Sequence, residues 1–183
     1  MNAPETLSKE TILAALSRLD ELLREKGVLG EVCIFGGAAM VLAFDAREST
    51  RDVDAIFVPK QVVLESARRV AEEFKLSPDW MNSGVAGFVS AQGEVTGEGM
   101  PVFENLRVLR PTNEYLLAMK CLASRVATMG VSGDRQDVIT LLRELGIRDA
   151  AAACDLVARY YKESLLPAKV RFFIEETIQE LNS

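Results

Sequence analysis

The sequence predicts an α/β (α+β) chain, with a mixed sheet flanked by helices over residues 1–110 and a C-terminal helical bundle over 111–183. Three observations predict it. Helical stripes and short apolar runs alternate through the first half, the pattern of strands packed on helices. The run Cys33 to Val58 reads as a strand, a Gly36-Gly37 turn, a helix, a polar loop and a second strand. After Pro111-Thr112 only helical segments follow.

Residues 6–26 carry Ile12, Leu16, Leu19 and Leu23 on one helical stripe, with Ser8 as N-cap and Gly27 as the stop. Glu31 to Phe35 is the first strand. Asp45 to Arg51 is a polar loop, and the strand after it opens with Asp52-Val53-Asp54. Successive strand side chains alternate faces, so Asp52 and Asp54 share one face, continued by Ile56 and Val58, while Ala55 and Phe57 share the other. Such a strand is expected to be buried on both sides.

A helix over 61–75 follows, with Val63, Ala67, Val70 and Phe74 on its stripe; Pro78 to Asn82 breaks the pattern. Trp80 reads as a core anchor or as the wall of a base-binding pocket. Residues 83–99 are dense in glycine, as in a hairpin or flap. Val102 to Leu109 reads as a strand holding Glu104. Thr112 caps a helix over 113–128, and further helices are expected over 134–145, 149–162 and 167–181.

Composition limits the chemistry. The chain has no histidine, which removes Ser-His-Asp hydrolysis, Cys-His proteolysis and histidine-ligated metals. Carboxylates, Lys, Arg, Tyr or a bound metal are left. Cys33, Cys121 and Cys154 are far apart in apolar or helical settings and read as buried thiols of a reducing compartment. No run is long enough for a membrane span and no basic-then-apolar leader opens the chain, so the expected address is the cytoplasm, with no membrane partner. The net charge of −6 argues against a surface coated for nucleic acid, though a local basic patch is compatible with it.

Two same-face carboxylates at a strand end repel each other, and a divalent cation relieves the repulsion; Mg²⁺ is the hard ion suited to such oxygens. The alternative is a solvated strand edge with Arg47 and Arg51 as partners. Gly36-Gly37 exposes backbone N–H groups at a helix N-terminus, a seat for phosphate, or serves sterics alone. Arg47 either faces phosphate or neutralises neighbouring acids. Lys120 is either a solvated helix residue or a phosphate ligand. Asp134 is placed to cap a helix, with Asp137 completing a capping box.

Gly36-Gly37, Arg47, Thr50 and Asp52-Val53-Asp54 resemble the signature of the nucleotidyltransferase superfamily: a glycine pair opening a helix, then alternating acids on the next strand. Leu116 to Lys120, Arg125 and Asp134 to Asp137 resemble a narrower group, bacterial nucleotidyltransferase-like proteins related to abortive-infection (AbiEii-type) toxins. The resemblance covers roughly residues 28–145. It implies a nucleotidyltransferase-like sheet and Mg²⁺-dependent transfer of a nucleoside monophosphate from an NTP. The acceptor would be RNA, a protein or a small molecule, in a toxin–antitoxin or phage-defence setting with a possible antitoxin partner. Asp52, Asp54 and Lys120 would be catalytic. Gly36, Gly37, Arg47, Thr50, Arg125 and Asp137 would bind the nucleotide. Asp52, Asp54 and a third acid would hold metal, with Glu104 or Asp79 as that third. A fold of this kind lacking the third acid is the alternative, acting as a nucleotide-binding or protein-interaction module.

Overall fold

The computed structural model describes residues 6–123, 132–162 and 166–183. Among them a mixed sheet and helices make an α/β chain that divides into two compact units, residues 1–87 with 95–110, and residues 88–94 with 111–183. Arg125 lies outside the described residues.

The first unit begins with a two-residue strand β1 (Leu7–Ser8) and helix α1 (Lys9–Glu25). Ser8 caps α1, its Oγ accepting from the Thr11 N–H at 3.2 Å. Then come β2 (Gly30–Ile34), α2 (Gly36–Phe44), β3 (Ser49–Thr50), β4 (Val53–Val58) and α3 (Lys60–Phe74). After α3 the chain adds β5 (Met81–Asn82), a 3₁₀ turn (Gly84–Phe88), β6 (Val95–Thr96) and β7 (Leu106–Pro111). The main sheet runs β5-β4-β2-β7-β6, with β4 antiparallel to β2 and with β7 parallel to β2.

One face of this sheet is packed and the other is half open. Register sets Val32 against Phe57 and Ile34 against Ala55, and all four are buried. Gly30 is on the same face two residues before Val32, where a β-carbon would stand 2.7 Å from Leu23 Cδ1 of α1 and 3.5 Å from Val63 Cγ2 of α3. Both helices therefore press on that side, each through its apolar stripe. They are also tied together by the Arg18 guanidinium, whose Nε donates to Glu73 at 2.7 Å. Glu73 holds the Arg18 guanidinium firmly protonated, and Arg18 in turn lowers the Glu73 carboxyl below its usual range. Trp80 is the core anchor of this side, buried with its indole N–H donating to the Ala67 carbonyl at 2.9 Å.

The opposite face corrects the expectation of a strand buried on both sides. Asp52, Asp54 and Ile56 are half-buried and Val58 is 61% exposed, because α1 and α3 cover only the face that carries Val53, Ala55 and Phe57. Phe74, placed on the buried stripe of α3 by spacing, is also partly exposed at the end of its helix, and Ser66 and Ala71 are buried with the stripe instead.

A second correction concerns the last strand. β7 begins at Leu106, not at Val102, and Val102 instead bridges back to Arg107 across a tight turn with its side chain 93% exposed. Alternating residue types on the two arms of that turn read as one continuous strand.

The second unit contains α4 (Asn113–Ala123), α5 (Ser132–Glu144), α6 (Ala150–Tyr160) and α7 (Ala168–Asn182). Their buried faces include Tyr115, Leu116 and Leu117; Ile139, Leu141 and Leu142; Leu156 and Val157; and Ile174 and Ile178. The short segment 88–94 belongs to this unit. Ser90 N–H donates to Tyr115 Oη at 2.7 Å, Ser90 Oγ–H to the Tyr160 carbonyl at 2.7 Å, and Tyr161 Oη–H to the Phe88 carbonyl at 2.9 Å. The Tyr115 and Tyr160 rings stack at 5.0 Å. Cys121 is fully buried, and burial pushes its thiol up to about 12, as it does that of the half-buried Cys33. Among the described residues no helix is long and apolar enough to cross a membrane.

Candidate functional site

The start of β4 is fixed from both sides by main-chain hydrogen bonds. Phe35 N–H donates to the Asp54 carbonyl at 2.8 Å, and Val53 N–H donates to the Trp80 carbonyl at 2.7 Å. The peptide groups thus point alternately toward β2 and β5, and the side chains of Asp52 and Asp54 share the half-open face.

Helix α2 opens directly beside that face. Gly36 has φ +61°, a conformation an L side chain rarely adopts, and a β-carbon there would sit 3.3 Å from Asp54 Oδ2. The carboxylate is therefore at the N-terminal end of a nine-residue helix, where backbone N–H groups and the helix dipole favour negative charge. Gly37 is required by close approach: a β-carbon would stand 2.6 Å from Thr50 Oγ1 and 3.5 Å from Arg47 Nη1. Thr50 is itself held by the β1–β3 pairing, in which it lies opposite Leu7, and its side chain is buried. Gly36, Gly37, Arg47, Thr50 and Asp54 are therefore brought together around one helix end.

Sequence reasoning missed Asn82. It lies on β5, which runs parallel to β4 with Asp54 opposite Asn82. Its side-chain Nδ2 donates to Asp52 Oδ2 at 3.1 Å, and its Oδ1 accepts from the Gly84 N–H at 2.9 Å. A β-carbon on Gly84 would be 3.9 Å from Asp54 Oδ1, so this turn runs alongside both acids. A two-residue strand carries no alternation to read, and only the spacing of Asn82 from the glycine of the next turn offered a signal.

Glu104 sits in the turn before β7, and β7 is parallel to β2 with Leu106 level with Gly30. Asp54 is level with Phe35, five levels from Gly30. Glu104, in the turn before Leu106, is therefore at the other end of the sheet, at least roughly 16 Å away along the strands at about 3.3 Å per residue level. Asp79 is exposed in the turn before β5. Among the described residues no cluster of three acids, cysteines or histidines has metal-holding geometry.

Lys120, Asp134 and Asp137 come together inside the second unit. The Lys120 ammonium is 3.1 Å from Asp134 Oδ1 and 2.6 Å from Asp137 Oδ2, with Asp137 wholly buried and Lys120 nearly so. The solvated reading of Lys120 is thereby corrected. Since α5 starts at Ser132, Asp134 lies within its first turn and not at the cap position. Charge burial of this kind requires pairing, which the two carboxylates and one ammonium supply.

The donor set of the first unit suits Mg²⁺. That ion is usually held by one or two carboxylates, with phosphate oxygens and water completing its shell, and Asp52 and Asp54 would offer two carboxylates from one half-open face. Compared with known protein families, with curated proteins and with solved structures, the chain matches none.

Proposed function

We propose that the first unit is a nucleotidyltransferase-type site that binds an NTP with Mg²⁺ and passes its nucleoside monophosphate to an acceptor hydroxyl. One observation carries the reading: Asp54 stands against the first residue of α2, 3.3 Å from where a β-carbon of Gly36 would be. A cation-binding carboxylate pair and an anion-binding helix end therefore adjoin. A metal–triphosphate is a ligand that presents a cation and oxyanions side by side.

In this reading Asp52 and Asp54 hold the metal, and Gly36 and Gly37 offer N–H groups to phosphate oxygens. Arg47, beside Gly37 and Thr50, supplies positive charge to the same tail. Bound Mg²⁺ neutralises charge that builds on the phosphate oxygens during transfer. The acceptor oxygen bonds to the α-phosphorus, the bond from that phosphorus to the bridging oxygen breaks, pyrophosphate departs and the hydroxyl proton passes to solvent. The acceptor classes are RNA, a protein or a small molecule, and the resemblance to toxin-related proteins favours the first two. An antitoxin would then be the expected protein partner.

The neutral Asn82 beside Asp54 favours a second reading, nucleotide binding without transfer. Calorimetry with each NTP and Mg²⁺, beside transfer of label from an α-labelled NTP into cell-extract acceptors, decides between them. Binding and transfer are both expected, and Asp52→Ala or Asp54→Ala is expected to weaken them by roughly 10²-fold or more with the fold intact. Binding without transfer to any acceptor selects the second reading. Equal transfer by Asp52→Ala overturns the assignment.

A further inference from the structure

The half-open face of the sheet ends, away from Asp54, in a row of residues on neighbouring strands, all in the first unit. Register sets Val58 of β4 beside Glu31 of β2, and Glu31 beside Arg107 of β7. The bridge from Arg107 to Val102 adds the last member on the far side of β7. Residues paired across strands point to one face, and the 3.2 Å ion pair between Arg107 and Glu31 lies on it. The row therefore reads valine, acid, base, valine. Val58 and Val102 are exposed, as is Leu29, two residues before Glu31. They border a groove of about 690 Å³ that Pro101 and Phe103 also line.

Exposed apolar side chains gathered beside a groove mark a surface for association. The order of charges along the row selects the partner. A second copy, turned by half a turn about an axis along the strands between β2 and β7, can lay its face on the first. Val58 of each copy then meets Val102 of the other, and Glu31 of each meets Arg107 of the other. Every charge gains a second neighbour of opposite sign, with like charges only on the diagonals of the square so formed. A two-fold interface sets one patch against itself, which requires a patch complementary to its own rotated image. Sheets stacked this way keep their strands aligned within about 30°.

We propose that this end of the sheet is a two-fold interface with a second copy of the chain. Val58 is four residues along β4 from Asp54, roughly 13 Å at about 3.3 Å per residue. The interface is thus independent of what the aspartates bind.

Sedimentation and light scattering over a dilution series of the full chain read the association. The unaltered protein is expected to be a dimer that dissociates on dilution and weakens in high salt. Arg107→Glu sets acid against acid and Glu31→Arg sets base against base. Each alone is expected to raise the dimer dissociation constant about 100-fold or more. An equimolar mixture of the two variants restores opposite signs at both places and is expected to dimerise again as a mixed pair. Circular dichroism checks that both variants fold. An unaltered protein that stays monomeric overturns the proposal. So does a dimer indifferent to both reversals, or a mixture of folded variants that stays apart. A monomer that takes up anilinonaphthalene sulfonate, and fails to do so as Val102→Asp, would give the groove to a small apolar ligand and overturn it too.

Discussion

The chain carries two close pairs of aspartates, and they are built in opposite ways. Asp52 directly precedes β4 and Asp54 lies on it, two residues on; Asp134 and Asp137 are three apart on a helix, and either spacing puts both acids on one face. The strand pair stays half-buried on an open sheet face beside a helix N-terminus. The helix pair closes on the Lys120 ammonium, with Asp137 sealed from solvent. Identical side chains thus do different work. A pair closed on an internal ammonium braces α4 against α5, whereas the pair at the sheet edge is the one proposed above to meet a cation.

The largest effect should come from breaking the sealed pair. Lys120→Met leaves the Asp137 charge buried without its ammonium, and about 3–5 kcal/mol of stability is expected to go, measured by urea unfolding of the full chain. Unchanged stability would erase the distinction between the two pairs. The matching change in the open pair, Asp52→Asn, should alter folding stability by less than about 1 kcal/mol while removing Mg²⁺-dependent nucleotide binding. A loss of stability as large as that of Lys120→Met would show that both pairs are braces.

The turn beside the open pair gives a smaller effect. Gly37→Ala forces a methyl into Thr50 Oγ1 at 2.6 Å, so β3 or α2 must shift. About 1–3 kcal/mol of destabilisation is expected, with weaker nucleotide binding by calorimetry. The smallest effect belongs to the exposed Arg18–Glu73 pair. The Glu73 carboxyl is held low by Arg18, so its contribution is present above the unfolded-state value of about 4.3 and is lost as pH falls through the lowered folded value. Glu73→Gln should therefore be less stable than the parent at neutral pH, and the gap should close in acid-titrated melts.

Legibility followed the length and regularity of each element. The stripes of α1 and α3 and the Ser8 cap were plain because a helix repeats its message over several turns. The same-face placement of Asp52 and Asp54 came from period-two alternation alone. Four strands of two residues, β1, β3, β5 and β6, send no such signal, and Asn82 was missed with β5. Glu104 was misplaced because residue alternation does not distinguish a straight strand from two arms of a tight turn, and only the β2–β7 register puts it at the far end of the sheet. Lys120 was ambiguous since its ion pair joins α4 to α5 across a gap in sequence that periodicity does not bridge.

The seven residues from Phe88 to Glu94 have a practical consequence for anyone cutting this gene. Their flanks belong to the first unit but their hydrogen bonds are to Tyr115, Tyr160 and Tyr161. A fragment ending at 110 would carry a stretch stripped of its clasp, and a fragment starting at 111 would leave the stacked tyrosines uncovered. No single scissor point yields either half whole.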